Sequence, residues 1–149
     1  MLGANLVGTY MAESIWTEAV LSLANLHEAN LTKVALTTAN CRGANMYGVN
    51  LVVANVIGAN LSKAILHLAT LREADLNDVD FQGANLTGAN FRGANLAGLK
   101  LGYADLSEAC FRGINIDLES QAKNVKFCKT VMPDEESTTA IANSSFLFK

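Results

Sequence analysis

Ala84-Asn85-Leu86-Thr87-Gly88-Ala89-Asn90-Phe91-Arg92-Gly93-Ala94-Asn95-Leu96-Ala97-Gly98 repeats one five-residue phrase, Ala-Asn-Leu/Phe-X-Gly, three times without a break. Outward from it the same frame runs in both directions. Taking the large apolar residue as the centre and stepping by five, the chain reads Leu6, Met11, Trp16, Leu21 and onward through Cys41, Met46, Phe81, Leu86, Phe91 and Phe111 to Ile116, and no centre is polar. Two residues before each centre stands a small residue, usually alanine, with Thr9, Ser14, Val34, Val49, Val79, Leu99 and Ile114 as the departures. Every glycine except Gly102 lies two residues after a centre.

A fixed self-similar period decides the architecture ahead of local propensity. Spacing of five matches neither the 3.6-residue period of a helix nor the two-residue period of a flat strand for more than one step. The chain must therefore turn regularly. Within a phrase the small residue and the centre are two apart, so an extended backbone points both inward and the intervening Asn or Asp outward. The next two residues make the corner, where glycine takes backbone angles that other residues avoid. A period of five does not by itself fix the number of sides, but if each corner turns the chain by about a right angle, four phrases close one coil of twenty residues and successive coils stack at about 4.8 Å. The 23 centres from Leu6 to Ile116 then make 23/4, nearly six coils. Columns twenty apart become vertical neighbours. One inward column is Ala4, Ala24, Ala44, Ala64, Ala84 and Ala104, beside an outward one holding Asn5, Asn25, Asn45, Asn85 and Asp105. Stacked amides of this kind can bond one another or the neighbouring backbone.

The phrase resembles the A(N/D)LXX repeat of the pentapeptide-repeat family over residues 3 to 118. That resemblance implies an all-β fold, a right-handed parallel quadrilateral β-helix of about six coils. It is specific for fold and poor for function, because members with the same tube have different roles. The closing Thr130-Val131-Met132-Pro133-Asp134 resembles the end of arrays in cyanobacterial members, which points to a cyanobacterial source.

The ends depart from the pattern. In the first coil Tyr10, Ile15 and Val20 replace Asn and Trp16 is a centre, as expected of a terminal, atypical repeat. After Ile116 the frame slips: Val125-Lys126-Phe127-Cys128-Lys129 puts the next centres at Phe127 and Met132, one residue out of step. An insertion within 117–124 accounts for this. The β-helix is expected over 1–134, ending at the only proline, with 135–149 a tail or cap that includes Phe146, Leu147 and Phe148. The first coil can be covered by its own Met11 and Trp16, by a second copy, or by a preceding segment or separate protein, and contact with another chain, including a homodimer, is the expectation because Met11 and Trp16 fill its inside without satisfying edge backbone groups.

Composition fits a single domain: 149 residues, 50% apolar, and a net charge of −3 that argues against general nucleic-acid affinity. No apolar run is long enough to span a bilayer, and no secretory signal is visible near Met1. Cys41 is an inward centre, Cys110 an outward Asn-type position, and Cys128 follows the frame slip, so the three read as reduced thiols of a cytoplasmic protein. The Asn-X-Ser/Thr triplets at Asn30, Asn60, Asn85 and Asn143 arise from the repeat itself.

Chemistry is sparse. His27 and His67 share an outward column with Tyr47 between them, two coils and about 9.6 Å apart, too far to share a metal. No phosphate-binding glycine loop and no activated Ser or Cys is present, so the expectation is a non-enzyme without cofactor or metal. Glu73, Asp75, Asp78 and Asp80 fall within one coil but on three sides. Two features are candidates for binding a protein partner. Arg72, Arg92 and Arg112 form an outward column, three guanidinium groups about 4.8 Å apart that repel unless anions intervene. Val52, Val53 and Ile57 occupy corner positions expected to face water. The resulting expectation is a rigid interaction scaffold. The alternative implied by the resemblance is a DNA mimic that binds DNA gyrase, which needs carboxylate rows. The column through Glu18 reads Thr38, Gly58, Asp78, Gly98 and Leu118, which is no such row.

Overall fold

The computed structural model describes residues 1–114 and 124–131, and within them the chain is a right-handed quadrilateral β-helix. Parallel backbone pairing joins each Asn-type position to the one twenty residues later, from Asn5 with Asn25 through Asn90 with Cys110. Four phrases therefore close one coil. The last pairings, Asp105 with Lys126 and Cys110 with Val131, step by 21 residues. The expected frame break falls on residues 117–124, which apart from Asn124 lie outside the described residues, as does the tail at 135–149.

One phrase shows where every backbone N–H goes. Leu31 donates to Asn50 O in the next coil (2.8 Å) and Lys33 to Val52 O (2.9 Å), while Val34 closes the corner on Leu31 O (3.1 Å). Ala35 then donates back to Ser14 O in the preceding coil (3.0 Å). The remaining N–H, that of Thr32, donates to the Oδ1 of Asn30 at 3.1 Å. Asn and Asp are frequent at this place because their side-chain oxygen satisfies the one donor the ladder leaves over. The same bond recurs at Asn60 with Ser62 (3.0 Å) and Asp80 with Gln82 (2.9 Å). Amide-to-amide bonding up the column is limited, among the described residues, to Asn45 Nδ2 donating to Asn25 Oδ1 at 3.1 Å.

Side-chain size sorts the inside from the outside. The centres from Leu21 to Phe111 and the alanines beside them form one buried core, with Ala64 and Leu86 both at 0% exposure. In the first coil Leu6, Met11 and Trp16 are only partly buried against it. Trp16 satisfies its indole N–H on Ser14 Oγ at 2.7 Å, which explains a serine at an inward small position. Among the described residues no helix is long and apolar enough to cross a membrane.

The glycines two residues after a centre take the left-handed corner expected of them, and other residues take it as well. The second corner residue is left-handed whether or not it is glycine, for example Glu28 (φ 53°), Val53 (57°) and Leu68 (58°). Glycine is instead distributed by coil. The corners of 61–80 are Lys63, Leu68, Glu73 and Asp78, and those of 81–100 are all glycine. The larger residues lean over the glycines of the next coil: a Cβ on Gly88 would lie 2.9 Å from Leu68 Cδ2, and one on Gly98 would collide with Asp78 Oδ1. A β-branched residue in this conformation is strained by about 1 to 2 kcal/mol. Val53→Gly is therefore expected to raise stability by up to about 1 kcal/mol after glycine's larger unfolded-state entropy is counted. A thermal melt that falls for this variant would contradict the strain.

Candidate functional site

The corner after the Leu51, Leu71, Phe91 and Phe111 centres carries the candidate surface. The ladder fixes its order, since Val53 N–H donates to Arg72 O (2.9 Å) and Glu73 N–H to Arg92 O (3.1 Å). Val52 and Val53 thus lie one coil from Arg72, and the apolar pair and the arginine column form one strip. Ile57 does not join it. It sits a full side of the square away, in the column of Thr37 and Asn77, with its N–H on Asn55 Oδ1 (3.3 Å). The expectation that all three apolar residues face water is also corrected. Val53 is exposed, while Val52 and Ile57 are half-buried between neighbouring coils.

Arg72, Arg92 and Arg112 are all exposed. Glu73 lies beside Arg72, with Oε1 3.7 Å from Nη2. Asp75 does not reach the strip, because its Oδ1 accepts from Asn77 N–H at 3.3 Å. Among the described residues no carboxylate comes within ion-pair distance of Arg92 or Arg112. The ladder also opens here. Every corner N–H from Gly3 to Gly88 donates to the next coil, as at Gly83 to Gly102 O (2.8 Å) and Gly88 to Ser107 O (2.8 Å), but Gly93 makes no such bond to Arg112.

Sequence reasoning placed His27, Tyr47 and His67 in one column and missed that they pack. The rings of His27 and Tyr47 stack at 4.9 Å, and those of Tyr47 and His67 tilt together at 5.4 Å. His67 Nδ1 lies 2.8 Å from Thr87 O, so this nitrogen carries the proton. All three are half-buried rather than freely solvated, because each ring covers the next. The column spacing of about 4.8 Å was the available signal, since it matches aromatic contact distances. Among the described residues no group of three His, Cys, Asp or Glu side chains is placed to hold a metal. Cys41 is buried, which pushes its thiol up to about 12. Cys110 is half-buried and Cys128 exposed.

An ion pair holds the register-shifted segment, with Lys126 Nζ 2.8 Å from Asp105 Oδ2. Burial opposes the charge on Asp105, but hydrogen bonds from Lys126 and Ser107 outweigh it and hold the carboxyl below its usual range. The same hydrogen bond raises Lys126. A lowered carboxylate stabilises the fold above its unfolded value of about 3.9, and that contribution is lost as pH falls through the lowered folded value. Protection of the Lys126 and Val131 amides, taken relative to intrinsic exchange at the same pH, is therefore expected to fall below about pH 4 in the wild type. In Asp105→Asn the protection should already be lower at neutral pH. Equal protection of the two proteins at pH 7 would show that the pair does not tether the segment.

The first coil carries a different surface. Tyr10, Ile15 and Val20, at outward positions on three sides, are 79%, 82% and 52% exposed.

Comparison with known proteins agrees with this geometry. A trypsin-treated form of QnrB1, a plasmid-mediated fluoroquinolone resistance protein, is similar with a TM-score of 0.64 and 20% identity. The match covers 87% of this chain and 65% of that one, so this chain spans a little under two thirds of its length. A second QnrB1 structure matches with a TM-score of 0.50 and 18% identity, over 93% of this chain and 79% of that one. At these identities the likeness concerns the fold. A pentapeptide repeat protein from Nostoc PCC 7120 is 32% identical over 76% of this chain and 84% of its own, with a TM-score of 0.29. No curated protein matches the chain. The family model for pentapeptide repeats (8 copies) matches residues 4–40, 39–78 and 74–113, well over half of the sequence. With its five-residue phrase, its twenty-residue coils and that match, the chain belongs to the pentapeptide repeat family.

Proposed function

We propose that the protein is a non-enzymatic rigid scaffold that binds another protein along the strip of Val52, Val53, Arg72, Arg92 and Arg112, with Ile57 a separate apolar contact on the next corner. The observation that supports this is the arginine column on a hydrogen-bonded ladder, in which, among the described residues, Arg92 and Arg112 have no carboxylate within ion-pair distance. Every coil fixes the height of its corner side chains at intervals of about 4.8 Å, so a partner meets a preformed row and orders little on binding. The buried Cys41 thiol and the His67 ring tied to a carbonyl also support this reading. The reading includes a cytoplasmic location and a cyanobacterial source, and neither nucleic acid nor membrane as partner. The net charge of −3 and the closing Thr130-Val131-Met132-Pro133-Asp134 motif support it.

The test is cross-linking in extract of the source organism with wild type and with Arg72, Arg92 and Arg112 all changed to Gln. A partner whose capture weakens with salt and vanishes in the triple variant supports the strip. The same partners recovered by both proteins would remove it. DNA mimicry at gyrase is the alternative, and the columns do not favour it. Asp75 stands between Asn55 and Asn95, and Asp80 between Asn60 and Lys100. Inhibition of gyrase supercoiling by the purified protein would reverse this ranking.

A second reading, a homodimer through the N-terminal coil, is favoured by Tyr10, Ile15 and Val20. These side chains point sideways, and Ile65, which has a coil on each side, is still 44% exposed. Light scattering across a concentration range, with wild type and Ile15→Asp, tests it. A wild type that stays monomeric throughout ends the dimer reading.

A further inference from the structure

The strip changes chemistry along the tube axis in single-coil steps: Val52 with Val53, then Arg72 with Glu73, then Arg92 with Gly93, then Arg112 with Gly113. Charge of one sign accumulates where compensation falls away. Glu73 is the only carboxylate at the strip among the described residues, and at 3.7 Å it is a loose partner for Arg72, with both side chains about half exposed or more. Its stem passes over the next coil, since a Cβ on Gly93 would lie 3.4 Å from Glu73 Cγ. Beyond it stand Arg92 and Arg112, with Gly93 presenting a backbone N–H that has no acceptor on Arg112. Neither Gly93 nor Gly113 adds a side chain, so an incoming carboxylate can reach the guanidinium groups and the backbone together.

Resting on the reading of this corner as a docking surface, we propose that it takes a short acidic protein segment. Its carboxylates bridge Arg92 and Arg112, an apolar side chain settles on Val52 and Val53, and Glu73 is the internal carboxylate that the segment displaces from the head of the column. A protein segment fits better than a nucleic acid for two reasons. The chain as a whole carries −3 and repels a polyanion at long range, and the arginine row is broken by Val52 and Val53, beyond which the next cation, Lys33, is already paired with Glu13 at 3.0 Å.

Fluorescence anisotropy with a labelled Leu-Ser-Glu-Glu-Ser-Glu-Glu peptide and its all-glutamine counterpart tests the proposal. The acidic peptide should bind the full chain in a salt-sensitive way, and the glutamine peptide should not. Changing Arg92 and Arg112 together to Gln should weaken binding about tenfold or more, and Glu73→Gln should strengthen it several-fold. These side chains are exposed, so matching thermal melts confirm that each variant is folded. Equal binding of the two peptides, or weaker binding by Glu73→Gln, would overturn the proposal. So would tighter binding of inorganic phosphate or of a short single-stranded DNA than of the peptide. If the triple arginine variant loses its cross-linked partner but no form binds the acidic peptide, the docking surface stands and the acidic assignment fails.

Discussion

Phe91→Ala is expected to lower stability by about 3 to 5 kcal/mol, the range for emptying a buried phenylalanine site. Phe91 is fully buried, at 0% exposure. Its ring stacks on Phe111 in the next coil at 4.7 Å with planes 7° apart, and meets Phe81 from the opposite side of the square edge-on at 6.3 Å. Removal therefore loses transfer energy and two aromatic contacts, and it leaves a cavity that cannot close. The coil backbones on either side are pinned by ladder bonds such as Phe91 N–H to Cys110 O at 2.9 Å, so the walls do not collapse. Phe91→Leu, which restores the commonest centre of this chain, should recover most of the loss. Urea unfolding of the three proteins measures the effect. A loss below about 1 kcal/mol for the alanine variant would show that the three rings do not pack as a unit.

Ala84→Leu makes the opposite error at a neighbouring site and should cost about 1 to 3 kcal/mol or more. Ala84 is 1% exposed and belongs to the inward column Ala4, Ala24, Ala44, Ala64, Ala84 and Ala104. A leucine there must displace either the Leu86 centre or the coil above, whose Asp105 N–H is held on Ala84 O at 3.0 Å. The control is Thr87→Leu. Thr87 is a half-buried corner residue whose hydroxyl bonds only to Asn85 Oδ1, so the same addition of bulk points into solvent and costs about 1 kcal/mol or less. Comparable melting temperatures for the two variants would contradict the division into inward and outward positions.

The five-residue phrase repeated from Ala84 to Gly98 determined which positions point inward and which are centres, and it carried the resemblance to the family. It could do so because side-chain size recurs at one short period, and size decides which residues fit inside a narrow tube. A period of five leaves the number of sides open, and the pairing of Asn85 with Asp105 fixed it at four. The role of asparagine was only half legible. Its outward direction followed from the pleat, but its bond to the N–H two residues on depends on the corner having left exactly one donor without a ladder partner, a sum over two coils. The tertiary structure alone decided the rest. Non-glycine corners accept φ near 55° to 60° because closure of the square leaves them no other angle, and glycine is then required only where a residue twenty positions earlier leans across, as Leu68 does over Gly88. Val52 and Val53 joined the arginine strip while Ile57 did not, although Ile57 is nearer to Val53 in sequence than Arg72 is. Adjacency in this tube is set by hydrogen bonds between coils, which the order of residues along one coil does not contain.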